Sequence, residues 1–524
     1  MAGSWAMLAA AIELVVIATS CMVRDAHGHD YRAALAMSLL YFEGQRSGRL
    51  PPAQRVQWRA DSALADGADH RVPDLASPPS SNVSVCARTD AMQCDMQVDL
   101  TGGYYDSGDN VKFGFPMAFT VAALSWSVVE YGDRLDAAGE LGHALDAVRW
   151  GADYLTRAHA SAGGGEALYV QVGDGDSDHS CWQRPEDMDT PRTAYMVNAS
   201  SPGSDIAAET AAALASAAVA LTPADANFSS TLLLHAKQLF EFAKNHRGLY
   251  HNSVPSAAKF YASSGDEDEL LWAAAWLYIA TGGEEEYSAY IAGATNVGGV
   301  RSMFSWDDKF VGAQALLVLQ GKLPADGSHA EMKTNLEQFI CNLVQHSGGN
   351  GGGGGGARLS PGGMLWWDSW NNMQYVTLAS LVLAVHADHL TAARSASLQC
   401  GGGASRSPAQ LTAFVRSQVD YILSVNPETM SYMVGYGSRY PAEVHHRAAS
   451  LPSIKSSPAK VTCKGGFDYL NKGSPDPNVI AGAIVGGPDA DDRYDDSRQN
   501  FRQAEPSTVT VAPIVGILAR LLPS

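Results

Sequence analysis

Twelve stretches of the chain repeat apolar residues at the helical spacing, and no stretch alternates apolar with polar residues as a half-buried strand does. They fall near 30–46, 117–131, 136–160, 205–221, 229–246, 267–281, 284–291, 307–319, 330–345, 371–390, 408–424 and 508–522. Clusters of Gly, Pro, Asn and Asp separate them. This pattern excludes a doubly wound sheet and predicts helical hairpins laid in succession, and an even count lets the pairs close into a ring. Stripes such as Leu270, Leu271, Ala274 and Leu277, or Val376, Leu378, Leu381, Val382 and Val385, read as core.

With 46% hydrophobic and 17% charged residues, the 524-residue chain has the means to bury a large core. Acidic residues outnumber basic ones, 55 to 36, for a formal charge of −19, which repels nucleic acid. A neutral, polyhydroxylated partner fits better. Residues 1–28 read as a secretory signal: an apolar run over 6–23 is followed by Arg24 and Asp25, although Glu13 interrupts it and no basic start precedes it. An uncleaved anchor is the alternative, and no other run is expected to span a bilayer. Three sequons, beginning at Asn82, Asn198 and Asn227, are compatible with export. Seven cysteines with no C-x-x-C pair allow one or two disulfides and give no zinc site.

Chemistry is expected on the long loops at 161–204, 247–266, 346–370 and 425–507, and on a segment just before the second helix. In that segment Asp106 and Asp109 stand three positions apart among Gly102, Gly103, Gly108, Gly114 and Pro116, which break both regular periods. Tyr104, Tyr105, Phe113, Phe115 and Phe119 surround them, more rings than an Asp-rich turn needs and what a sugar-stacking cleft uses. Glu505 precedes Pro506 at a loop-to-helix junction, where it is either a helix-start acid or a tuned catalytic one. His445, His446 and Arg447 supply donors for sugar hydroxyls, and as neighbours in sequence they make a poor metal set. The stretch 174–186 again mixes acids, His179, Trp182 and Arg184. No Gly-x-Ser-x-Gly elbow occurs, which argues against a serine hydrolase. Asp489, Asp491 and Asp492 lack the spacing of a calcium loop. The glycine run at 348–356 lacks the Lys-Ser/Thr of a phosphate loop and reads as a connector.

Opposed carboxylates among Trp and Tyr are what glycoside hydrolysis demands. The motifs Gly102-Gly103-Tyr104-Tyr105-Asp106-Ser107-Gly108-Asp109-Asn110-Val111-Lys112-Phe113, Asp268-Glu269-Leu270-Leu271-Trp272 and Trp370-Asn371-Asn372-Met373-Gln374-Tyr375, with the two C-terminal segments around His445 and Glu505, carry a resemblance. From about 30 to 522 the chain resembles glycoside hydrolase family 9, in particular the plant endo-β-1,4-glucanases. The resemblance implies an all-α (α/α)6 toroid with an open cleft and an inverting mechanism. It implies Asp109 as base, Asp106 helping to hold the water, and Glu505 as general acid. His445 and Arg447 match a pair that contacts the sugar near the cleavage point, and Asp496 matches an acid that orients its neighbours. Trp306, Trp370 and Tyr375 match aromatic positions of the cleft, and Tyr105 joins them as an expected sugar contact.

The resulting expectation is a secreted, monomeric endoglucanase of the cell wall that acts on β-1,4-glucan without cofactor or metal. It has one catalytic domain over 29–524 and no carbohydrate-binding module. Two alternatives are a catalytically impaired glucan-binding protein and a hydrolase of another β-1,4-linked wall polysaccharide. Ser107 stands where the family has Ala, a small-for-small change. Residues 72–97 are an atypical insert before the catalytic loop; beginning with Val and ending with Gln, they read as a retained intron.

Overall fold

The computed structural model describes residues 28–68, 98–319, 327–345, 357–395 and 397–523. The expected signal, the insert at 72–97 and the glycine run at 348–356 lie outside them, apart from residue 28. Each of the twelve expected segments meets a helix: α1 (Tyr31–Gln45), α2 (Gly114–Ala138), α3 (Leu141–Ser161), α4 (Ser204–Leu221), α5 (Ala226–Asn245), α6 (Glu267–Ala280), α7 (Glu285–Gly293), α8 (Phe310–Leu319), α9 (Gly327–Gln345), α10 (Met373–Ala392), α11 (Pro408–Leu423) and α12 (Thr508–Leu521). Helix α2 starts earlier than its periodicity suggests because Pro116 sits in the first turn, where a missing N–H costs nothing. It stops at Gly139, whose φ of 78° lets its N–H turn back to the carbonyls of Asp136 and Leu135.

The even-numbered helices form an inner ring in which each packs on the next, and α12 closes back onto α2. The odd-numbered helices lie outside, α1 on α12, α3 on α2 and α4, α5 on α4 and α6, α7 on α6, α9 on α8 and α11 on α10. The two rings differ in sequence for a physical reason. An inner helix touches protein all round, so α4 buries every residue except Val219 and is built largely of alanine. An outer helix needs one apolar stripe, and α5 supplies Leu232, Ala236, Leu239, Phe240 and Ala243. The seam between α12 and α2 closes on Gly516, where a Cβ would come within 2.7 Å of the Ser127 hydroxyl. Among the described residues two helices are apolar and long enough to cross a membrane, α4 and α10, and both belong to the inner ring and are largely buried.

The strand-free reading is corrected by three small sheets among the described residues. The largest pairs β1 (Lys112–Phe113), β2 (Ala167–Val172) and β3 (Ala194–Asn198) antiparallel in that order; β4 (Arg358–Leu359) with β5 (Leu365–Trp366), and β6 (Leu398–Cys400) with β7 (Ala404–Arg406), form hairpins. They escape the periodicity test because they are short, and because β2 is buried from Leu168 to Val172 on both faces and so shows no alternation. The first sheet fastens the catalytic loop to the long loop after α3, with Lys112 opposite Val172 and Phe113 opposite Gln171. Among the described residues two disulfides form: Cys181–Cys463 joins two distant loops, and Cys341–Cys400 ties α9 to β6.

The chain flanking the insert is pinned together. The Leu100 amide donates to the Asp66 carbonyl at 3.0 Å, and the Lys112 ammonium pairs with the buried Asp66 carboxylate at 2.6 Å. A chain lacking 72–97 is therefore expected to fold and to melt no lower than the parent. Shortening a loop by about three halvings lowers its closure cost by about 2 kcal/mol. A lower melting temperature by calorimetry would show that the fold uses the insert.

Candidate active site

The loop before β1 is held rigid from beneath. Buried Lys112 donates to the carbonyls of Leu100 and Gly102 at 2.6 and 3.1 Å, while Arg192 forks onto Asp66 and donates to the Asn110 carbonyl at 2.6 Å. From α1, Gln45 accepts the Tyr105 amide at 2.9 Å through its carbonyl and donates from its side chain to the Ser107 carbonyl at 2.7 Å. The loop then closes on itself through Asp106 N–H to the Val111 carbonyl at 3.3 Å. Asp106 and Asp109 thus stand on backbone fixed at both ends.

Three segments far apart in sequence meet at Gly108. Its amide donates to Glu505 Oε1 at 3.0 Å, and its carbonyl accepts from the Arg447 amide and guanidinium at 2.9 and 3.1 Å. A Cβ here would lie 2.0 Å from the His445 carbonyl oxygen, so only glycine permits the crossing. The His445 amide donates to Ala504 at 3.0 Å and the Thr508 amide to Asp106 at 3.1 Å, which fastens the segment bearing Glu505 to the other two.

All three carboxyls lie in surroundings that favour the neutral acid. Burial, then the charge of Asp109, pushes Glu505 up to about 8. Burial and Asp109 likewise push Asp106 up to about 8, opposed by the hydroxyls of Tyr261 and Ser107, which donate to its Oδ2. Asp109 is also raised, chiefly by burial; His179, whose Nε2 lies 3.9 Å from its Oδ2, and Arg447 oppose the rise. Asp109 Oδ1 accepts the Val111 amide at 2.9 Å. Close carboxyls cannot all ionise together, so the pair Asp106/Asp109 titrates as a unit, while Glu505 holds its proton to near neutrality.

Not every expected sugar contact faces the cleft. Tyr105 is 2% exposed and its hydroxyl donates to Ser62 Oγ at 3.0 Å, so it anchors the loop. Arg447, also 2% exposed, gives its nitrogens to the carbonyls of Gly108, Cys181 and Asp178 and pairs with the Asp178 carboxylate at 3.1 Å; it supports the site from below. Nor are the two imidazoles donors to a sugar. His446 is buried against Gln45 and caps a short helix. Burial pushes His445 down to about 3, and its Nδ1 lies 2.6 Å from the Arg498 carbonyl, which can only accept. The proton therefore sits on Nδ1 and leaves Nε2 as an acceptor.

The other expected aromatic residues are half-buried or exposed. Trp370 is 49% exposed with its ring 5.0 Å from Phe501, Tyr375 packs beside Trp367 at 5.9 Å, and Trp306 meets Tyr261 edge-on at 4.9 Å. Asp496 accepts the amides of Ala442 and Glu443 at 2.9 and 3.1 Å, which steadies the chain leading to His445. Tyr261, Phe501 and Trp367 were not singled out by sequence. Phe501 has a legible signal, one turn before Glu505, and His179 lies in the mixed segment 174–186, whereas nothing in the loop 247–266 marks Tyr261. Tyr261→Phe removes a donor that favours charged Asp106. We expect the acidic limb of the kcat/KM profile to move to higher pH and the rate to fall about tenfold; an unmoved limb would leave Tyr261 a packing role.

Buried carboxyls brought to one junction, with aromatic rings close by, are the equipment for cleaving an acetal, and the fold and site define a glycosidase. The family model for glycosyl hydrolase family 9 matches residues 31–518. Over 518 residues the chain is 98% identical to Endoglucanase 14 of Oryza sativa subsp. japonica, covering 99% of this chain and 100% of that one. It is 51% identical to Endoglucanase 13 of Arabidopsis thaliana over 96% of each. Its structure superposes on an endoglucanase of the termite Nasutitermes takasagoensis with a TM-score of 0.78 and 35% identity, covering 94% of this chain and 99% of that one. The cellulase Cel9M of C. cellulolyticum in complex with cellobiose gives 0.74 and 28%, over 94% and 98%. The chain belongs to glycosyl hydrolase family 9, and its double ring of helices is the (α/α)6 barrel of its structural neighbours.

Proposed function

We propose that this endo-β-1,4-glucanase cleaves internal bonds of cellulose or related wall glucans by single displacement with inversion. Glu505 protonates the leaving oxygen, Asp109 takes the proton of the attacking water, and Asp106 helps to hold that water. The observation that carries the reading is the bond from Gly108 N–H to Glu505 Oε1, beside Asp109. It brings acid and base to one junction, where burial keeps Glu505 protonated. His445 accepts a hydroxyl of the sugar at the cleavage point, and Trp306, Trp370 and Tyr375 stack the chain on either side. Secretion to the wall is supported by the apolar leader and the sequons. The test is purified protein on carboxymethylcellulose. A rapid fall in viscosity with few reducing ends supports endo cleavage; reducing ends without loss of viscosity would count against it.

The electrostatics set a pH profile. An acid must be protonated, so activity is lost as pH rises through its pKa; a base must be charged, so activity is lost as pH falls through its own. With Glu505 held up to about 8, the alkaline limb of kcat/KM is expected near pH 8. The acidic limb reports the Asp106/Asp109 pair and lies above the ordinary carboxylate range. An alkaline limb below pH 6 would separate Glu505 from proton donation.

A further inference from the structure

The segment that presents His445 is gripped amide by amide. Asp496 takes the N–H groups of Ala442 and Glu443, and the Val444 N–H goes to Asp476 Oδ2 at 2.9 Å. The other oxygen of Asp476 receives a fork from Arg498, Nε at 2.9 Å and Nη2 at 2.6 Å, and both side chains are buried. Arg498 donates further to the carbonyls of Tyr469 and Ser474 at 2.8 and 2.6 Å. The Arg498 carbonyl is the group that accepts His445 Nδ1–H. One buried ion pair therefore holds both the backbone just before His445 and the acceptor that orients its ring.

A buried ion pair is a costly way to stitch two loops, since apolar residues of similar volume do it as well or better. What the pair adds is direction. A carboxylate with a fixed partner defines where the Val444 amide points, and a five-donor guanidinium held at four hydrogen bonds defines where its own carbonyl sits. We propose that Asp476 and Arg498 form a positioning unit that aims the unprotonated Nε2 of His445 at a sugar hydroxyl beside the scissile bond. The proposal rests on the reading of His445 as a sugar contact. The unit touches no substrate and acts only through the imidazole, and small misplacements of such a group cost rate rather than binding.

The test is a double-mutant cycle on a soluble cello-oligosaccharide, with melting temperatures measured alongside. Asp476→Asn keeps an oxygen for the Val444 amide but loses the charge that holds Arg498; Arg498→Lys keeps the charge but loses the fork. Each is expected to lower kcat by about 10–100-fold with KM little changed, and to add nothing further in a His445→Ala background. Parental kcat in both variants would overturn the proposal, and so would an undiminished loss in the His445→Ala background. If His445→Ala itself retains parental turnover, the reading of His445 fails first and the proposal falls with it. A readout on the unaltered protein needs no variant to fold: ¹⁵N-histidine NMR should find His445 protonated at Nδ1 and bare at Nε2 from pH 5 to 8. The opposite tautomer, or an imidazolium, overturns the assignment.

Discussion

Replacing Glu505 with Gln is expected to lower turnover on cellulosic substrates by about 10²–10⁴, because the amide cannot protonate the departing glucosyl oxygen. At about 1.4 kcal/mol per tenfold, that is about 3–6 kcal/mol of lost transition-state stabilisation. The amide oxygen of Gln can still accept from the Gly108 amide, which Glu505 accepts at 3.0 Å, so the junction should persist and glucan binding should be largely unchanged. The diagnostic is the leaving group. A cello-oligosaccharide ending in a nitrophenyl group departs without help, so the variant should recover most of its rate on it. Equal loss on both substrates would remove Glu505 from the role of acid. The alkaline limb near pH 8 should also vanish from the residual rate, since the group held up to about 8 is gone.

How much of this was legible beforehand depended on the kind of signal. The helices were, because a two-ring barrel writes two patterns: an inner helix such as α4 is buried all round and rich in alanine, and an outer one such as α5 carries one apolar stripe. The strands were not, because β2 is buried on both faces and the others are two to five residues long. Among site residues, the acids stood out by position, Asp106 and Asp109 in a glycine-broken loop and Glu505 before a proline. Motif position names a residue but not the direction of its side chain. Tyr105 and Arg447 lie beside the right neighbours, yet they turn to Ser62 and to backbone carbonyls beneath the loop. The converse holds for Tyr261, which lies 155 residues from Asp106 and reaches it only once the barrel has closed.

Asp109 faces a stricter demand than Glu505. A base that activates water must leave room for that water, so in a substrate complex the carboxyls of Asp109 and Glu505 should stand about 6.5–9.5 Å apart; a nucleophile would need about 5–5.5 Å. Asp109→Asn should lose about 10²–10⁴ in turnover on natural and activated substrates alike, since water must attack in both. That separates it from Glu505→Gln, which an activated leaving group rescues. Asn can still accept the Val111 amide that Asp109 accepts at 2.9 Å, so the loop should keep its shape and the loss should reflect chemistry. Azide, a nucleophile that needs no base, should restore part of the rate. The observation that decides between mechanisms is the anomer formed first from a β-linked oligosaccharide, followed by ¹H NMR before mutarotation. An α product fits a water driven in by Asp109 from the face opposite the leaving group, whereas a β product would require a covalent intermediate and would sink both inversion and the role of Asp109.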